Sequence, residues 1–332
     1  MSGWAVDRRV MVVASLDVLV VRGGPDAERP VSLQSGERVA VALREAGHRV
    51  AEADAGPAGG AIGLDTVHGW VAEHAGGVVF PVLHGRWGEG GGMQAELERL
   101  GARYVGTRSA AAARCIDKAV TKAALREAGI DTPESVELTE PGPSPIDGPV
   151  AVKPIDQGSS IGVHVCRSEA EVPAAIEAAF AVSERVLIER VIEGPELTVG
   201  VLEDDTGVGN ALPLVRIEPA VEVDGVYDYE AKYSRDDTRY LIGVEAAGLS
   251  AATAEAAVAM AEATHRVMGC RHVSRVDVMV DGAGRPWVIE VNTLPGMTDH
   301  SLLPMAARAM GHDMPALCDR LVRLAAADKP GG

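Results

Sequence analysis

The chain has 332 residues with 48 Asp and Glu against 31 Lys and Arg, a formal net charge of −17, 47% hydrophobic residues and 3% aromatics, a composition that suits a soluble globular protein of two or three domains. The acidic excess excludes nonspecific nucleic-acid or anionic-membrane binding, because affinity for a polyphosphate surface comes from Lys and Arg neutralising phosphates. No run reaches the roughly 18 to 20 apolar residues of a membrane span. The opening residues lack a signal-peptide pattern, and Cys115, Cys166, Cys270 and Cys318 form neither a C-x-x-C pair nor a dense framework, so a cytoplasmic protein with reduced thiols and no structural zinc is expected.

In chain order, an apolar run Val10–Val13 precedes Val18–Val21, a helix over 37–46, a strand near Arg49, Val78–Val82, a helix over 93–100 and Arg103–Val105. This βαβα rhythm predicts a largely parallel sheet. Glycine turns at Gly23-Gly24, at His84-Gly85-Arg86-Trp87-Gly88-Glu89-Gly90 and at Gly106 fall beyond its strands, where such sheets bind ligands. A helix follows with Asp117 as N-cap and Gly129 past its end, then the Pro-rich loop 141–145. Strands at 149–153, 161–166, 185–189 and 197–202 with a helix over 168–181 predict a small α+β unit. A mobile polar stretch is expected around Tyr233–Tyr240, and a closing helix over 314–327.

Lys153 ends a strand and opens the loop 154–162, rich in backbone and hydroxyl donors. That loop can fold over phosphates or be an ordinary hairpin loop, and no Walker A order occurs in the chain. Lys118 and Lys232 are two more cations able to reach phosphate, or solvated surface groups. Glu189 and Glu196 flank the turn 191–195, where they would accept from an adenine amino group and ribose hydroxyls or simply solubilise the turn. Trp87 and Trp287 read as packing residues.

The segments 275–280 and 286–292, joined by Asp281-Gly282-Ala283-Gly284, predict a β-hairpin. Strand side chains alternate, so Arg275 and Asp277 share one face of the first strand and Glu290 and Asn292 share one face of the second. Pairing Val280 with Arg285 puts both sets on the same face, with Arg275 opposite Glu290 and Asp277 diagonal to it. Oxygen donors few in number suit Mg²⁺ shared with substrate phosphates. The alternative is an exposed salt bridge.

Together these segments resemble the D-alanine–D-alanine ligases of the ATP-grasp superfamily, from about Val18 to the C-terminus. The matching motifs are Ala27–Leu33, the His84 glycine loop, Asp117-Lys118, Gly158–Gly162, Tyr227–Tyr233 and Glu290–Thr298. The resemblance implies an α/β, α+β overall, three-domain fold with an N-terminal doubly wound sheet: 1–106 on the substrate side, 107–192 a central ATP-grasp domain, 193–332 the C-terminal catalytic domain. It implies that Lys118, Lys153 and Lys232 meet the ATP phosphates, that Glu189, Ile192 and Glu196 hold the nucleoside, and that Asp277, Glu290 and Asn292 bind two Mg²⁺, with Mn²⁺ able to substitute.

It further implies that Glu28, linked through Ser159 to Tyr233, holds the first D-alanine, with His84 on the substrate side acting chemically or orienting its loop. Ser301 and the Leu302 backbone would receive the second substrate, and Arg275 and the Gly296 amide the oxyanion. The expected product is D-alanyl-D-alanine for peptidoglycan precursors, made through an acyl phosphate by a homodimer with ATP and D-alanine as small-molecule partners. Pro30, Gly90 and the 241–247 segment depart from the family pattern on the amino-acid and lid side. A relative joining another amino acid or hydroxy acid is therefore the main alternative, with Tyr233 arguing against D-lactate. A regulator without turnover and a dinucleotide-binding oxidoreductase are the others, and the latter lacks G-x-G-x-x-G.

Overall fold

Val18, Leu19, Val20 and Val21 are all buried, the mark of a strand covered on both faces. The computed structural model describes residues 14–56, 61–158, 161–218 and 238–328. Its first unit runs β1 (Asp17–Arg22), α1 (Arg29–Glu45), β2 (Arg49–Asp54), α2 (Ala61–Glu73), β3 (Val78–Pro81), α3 (Gly85–Glu89), α4 (Gly92–Arg99) and β4 (Arg103–Tyr104). The strands pair in parallel in the order β2-β1-β3-β4. Val18 and Val20 face α1, while Leu19 and Val21 face α2 and α4. The three glycine turns follow β1, β3 and β4, as expected. Helix α1 begins eight residues before the predicted position, because Pro30 lies in its first turn, where a missing N–H costs nothing.

Next come α5 (Ser109–Ile116), α6 (Lys118–Glu127), β5 (Ser135–Leu138), β6 (Val150–Pro154), β7 (His164–Cys166), α7 (Val172–Phe180) and β8 (Val186–Arg190). They form an antiparallel sheet ordered β5-β8-β6-β7. Asp117 caps α6 by accepting from the Val120 N–H at 2.9 Å. Val150, Val152, Val186 and Ile188 pack on α7, so the alternate residues Lys153 and Glu189 point the other way.

The last unit holds β9 (Glu196–Glu203), β10 (Gly209–Ala211), β11 (Val215–Glu218), β12 (Arg239–Ile242), α8 (Val244–Ala247), α9 (Ala251–Met268), β13 (Val273–Val280), β14 (Pro286–Asn292), α10 (Leu302–Ala309) and α11 (Met314–Ala327). Its path is β12-β11-β9-β13-β14, with β10 beside β9. Leu197, Val199, Val276, Val278, Val288 and Val291 pack on Ala254, Ala257 and Ala261 of α9. The expected mobile stretch is partly a strand, since Arg239 and Tyr240 pair with β11; its residues 233–237 lie outside the described ones, as does Val10–Val13.

The hairpin register differs from the expectation. Val280 pairs with Pro286, and a β-bulge between Asp277 and Val278 leaves Ile289 as the extra residue, so Arg275 stands opposite Asn292 and Asp277 opposite Glu290. The turn shift alone would turn one polar set to the other face. The bulge reverses that, and the four polar residues share a face after all.

Candidate active site

Strand alternation builds the floor. With α9 covering one face of β9, β13 and β14, the opposite face carries Glu196, Thr198, Arg275, Asp277, Glu290 and Asn292. Arg275 grips Asp277 through Nε–Oδ1 at 3.0 Å and Nη2–Oδ2 at 2.8 Å. Thr198 donates to the same carboxylate at 2.5 Å and Asn292 at 3.1 Å. Glu290, by contrast, has no hydrogen-bonded side-chain partner among the described residues. Two carboxylates and an amide oxygen on one face are hard donors fit for Mg²⁺, although among the described residues no three His, Cys, Asp or Glu side chains form a complete metal cage.

Above this floor a cleft is lined by Glu28, His84, Glu89, Glu196, Arg275, Asp277, Glu290, Asn292, Gly296, Thr298, His300, Ser301 and Leu302, among others. Glu28 reaches it from the turn before α1 and His84 from the turn after β3. Ser301 stands at the N-cap position of α10 without capping it through its side chain; its hydroxyl is held instead by Thr298, whose N–H donates to Ser301 Oγ at 2.9 Å and whose hydroxyl lies 2.8 Å from it. A Cβ at Gly296 would come within 2.9 Å of Ser301 Oγ, so a side chain there would push the hydroxyl aside. An adjoining cleft is lined by Glu89, Cys115, Lys118, Gln157, Gly158, Glu290 and Asn292.

Electrostatics distinguish the members. Burial, helped by Arg275, lowers the His84 pKa to about 4, so its imidazole is neutral near neutral pH, and Nε2 has no hydrogen-bond partner among the described residues. Glu89 is pushed well above the usual carboxylate range by burial first and by Glu28 second, against the pull of Arg275, which favours its neutral acid form. Burial also lowers Lys118, with Glu290 opposing; its Nζ donates to the Gln157 carbonyl at 2.5 Å. Burial drives the Glu189 carboxyl up, but Lys122 and Lys153 outweigh it and hold it below the ordinary value.

Ten of the predicted residues therefore meet at one cleft: Glu28, His84, Glu196, Arg275, Asp277, Glu290, Asn292, Gly296, Ser301 and Leu302. Lys118 lines its neighbour. Lys153 and Glu189 are joined to each other at 2.5 Å on the central sheet, and Ile192 sits in the loop after β8. Ser159, Lys232 and Tyr233 lie outside the described residues. Sequence reasoning missed Glu89, although it stands inside the glycine loop, and Lys122, one helical turn beyond Lys118. It also missed that Cys115 and Cys270 meet, with sulfurs 3.9 Å apart.

A family model described as the D-ala D-ala ligase C-terminus matches residues 125–323. A D-alanine–D-alanine ligase of Magnetococcus marinus is 39% identical over 315 residues, covering 92% of this chain and 96% of that one. The chain belongs to the D-alanine–D-alanine ligase family. Another member, from Dechloromonas aromatica, is 42% identical over 316 residues, covering 94% and 98% of the two chains. Among solved structures, the D-alanine–D-alanine ligase of Bacillus anthracis complexed with ATP superposes with a TM-score of 0.77 at 28% identity, over 94% of this chain and 97% of that one. As a member of the ATP-grasp ligases, the chain has the mixed α/β fold that the resemblance implied, built here of one parallel sheet and two further sheets. No helix among the described residues is long and apolar enough to cross a membrane.

Proposed function

We propose that this chain joins two D-alanine molecules into D-alanyl-D-alanine, with ATP cleaved to ADP and phosphate, for peptidoglycan precursor synthesis in the cytoplasm. The observation that carries the reading is the convergence of Glu28, Arg275, Asp277, Glu290, Asn292, Gly296 and Ser301 on one cleft, in a chain alike to ligases of that name over 92% of its length. Units 1–106, 107–192 and 193–332 act as three domains, with the nucleotide between the second and third, and the working form is a homodimer.

Glu28 takes the ammonium of the first D-alanine, with Ser159 and Tyr233 completing that contact and neutral His84 beside it. The substrate carboxylate attacks the γ-phosphorus of ATP, whose phosphates Lys118, Lys153 and Lys232 hold, while Glu189, Ile192 and Glu196 fix the nucleoside. Mg²⁺ held by Asp277, Glu290 and Asn292, or Mn²⁺ in its place, would neutralise charge on the phosphoryl group in transfer. The acyl phosphate then meets the amine of the second D-alanine, whose carboxylate rests on the Ser301 hydroxyl and the Leu302 N–H. The amine loses its proton and bonds to the acyl carbon; Arg275 and the Gly296 N–H stabilise the oxyanion, and phosphate departs.

The test is mass-spectrometric identification of products from ATP, Mg²⁺ and D-alanine, beside a panel of other D-amino acids and D-lactate, with Glu290→Gln as control. D-alanyl-D-alanine lost in the control is the expected result. Product only with another acid would move the substrate, and no product with any acid while ATP still binds would refute the ligase reading.

A further inference from the structure

Lys122 takes no part in the chemistry above, yet it is the more deeply buried of two lysines that meet one carboxylate. Its side chain is 1% exposed and forms an ion pair with Glu189, itself 3% exposed. The other Glu189 oxygen receives Lys153 at 2.5 Å. Lys122 also donates to Thr132 Oγ1 at 2.8 Å, and the Thr132 hydroxyl in turn donates a hydrogen bond to the Val288 carbonyl at 2.8 Å. A chain of hydrogen bonds and ion pairs thus runs from β14, which carries Glu290 and Asn292, through α6 and Glu189 of β8 to β6, which carries Lys153.

One ammonium is enough to neutralise a buried carboxylate, and burying a second charge is costly. Two ammoniums on one carboxylate leave one net positive charge in the cluster. A bound polyphosphate is the partner that uses that surplus. We infer that Lys122 is a positioning residue for the nucleotide: by sharing Glu189 it stops that carboxylate from neutralising Lys153, so the Lys153 ammonium stays available to the ATP phosphates. The inference rests on the reading of Lys153 as a phosphate contact. The alternative is a purely structural pin between α6 and β14.

The groups facing Lys122 are Glu189 from β8, Lys153 from β6 and Arg126 from its own helix; burial chiefly, with Lys153 and Arg126, brings its pKa down to about 8 against the pull of Glu189. Once Lys122 is neutral the cluster has no surplus, so ATP affinity should fall as pH rises through about 8. Arginine stays charged throughout, so Lys122→Arg should remove that fall, which a structural pin gives no reason to expect.

The experiment measures ATP binding by calorimetry and KM for ATP and for D-alanine across that pH range, with circular dichroism checking each fold. Expected are a roughly tenfold or greater loss of ATP affinity in Lys122→Met, as for a lost charge-assisted contact, an unchanged KM for D-alanine, and a flat alkaline profile in Lys122→Arg. A folded Lys122→Met that binds ATP like the wild type, or wild-type and Lys122→Arg profiles that superimpose, would overturn the inference. If Lys122→Met does not fold, the two profiles still decide it. Lys153→Met separates the premise: unchanged ATP affinity there would refute the phosphate role of Lys153, whereas a loss there with none in Lys122→Met refutes only the role of Lys122.

Discussion

Replacing Arg275 with methionine removes both hydrogen bonds to Asp277 and leaves that carboxylate beside Glu290 without its guanidinium. The two side chains are 16% and 10% exposed. Breaking a buried pair by removing one partner costs about 3–5 kcal/mol, because the remaining charge is left uncompensated. Asp277 keeps the Thr198 and Asn292 donors, so the lower end applies, about 3 kcal/mol. At ~2–4 °C per kcal/mol for a unit of this order of size, the first thermal transition should fall by about 6–12 °C.

Calorimetric melting of the metal-free protein measures this, and Mg²⁺ should raise the variant's transition more than the wild type's, since the cation supplies the missing charge. Turnover should drop by roughly 10²–10³-fold through loss of an oxyanion donor. A melting point within about 1 °C of wild type, unresponsive to Mg²⁺, would refute both the pairing and the use of this face for a cation.

Glu89→Gln replaces an acid with its neutral likeness. Because burial raises the native pKa of Glu89, the native state holds a proton that the unfolded chain releases above the ordinary glutamate value, and wild-type stability declines with rising pH from there up to the raised value. The variant should match wild type below that window and exceed it above, as read from melting points against pH; a constant difference would contradict this. His84, at about 4, should contribute no titration near neutrality, so His84→Gln should scale the rate without reshaping the pH profile; loss of a limb near the ordinary histidine value would contradict it. Gly158→Ala would place a Cβ 3.3 Å from Glu89 Oε1 and 3.4 Å from Glu28 Oε2, and should raise KM for D-alanine several-fold with ATP affinity unchanged, in steady-state assays.

The polar face of the hairpin was legible because strand alternation is a local rule, and Arg275, Asp277, Glu290 and Asn292 obey it. Its register was not, because the bulge at Ile289 leaves no mark in the turn that joins the strands. Helix α9 escaped notice since alanine occupies both its buried face and much of its exposed one, erasing the contrast that periodicity needs. Lys122 and Glu89 carry charges that read as solvated until tertiary packing buries them. Cys115 and Cys270, 155 positions apart, meet only through the docking of α5 on the end of α9. Motif order, by contrast, named most of the cleft in advance.

The most direct test of acyl phosphorylation in this cleft is oxygen transfer from substrate to phosphate. D-alanine labelled with oxygen-18 in its carboxylate, incubated with ATP, Mg²⁺ and the enzyme, should give inorganic phosphate carrying one labelled oxygen for each dipeptide formed. Dipeptide formed alongside unlabelled phosphate would contradict the account.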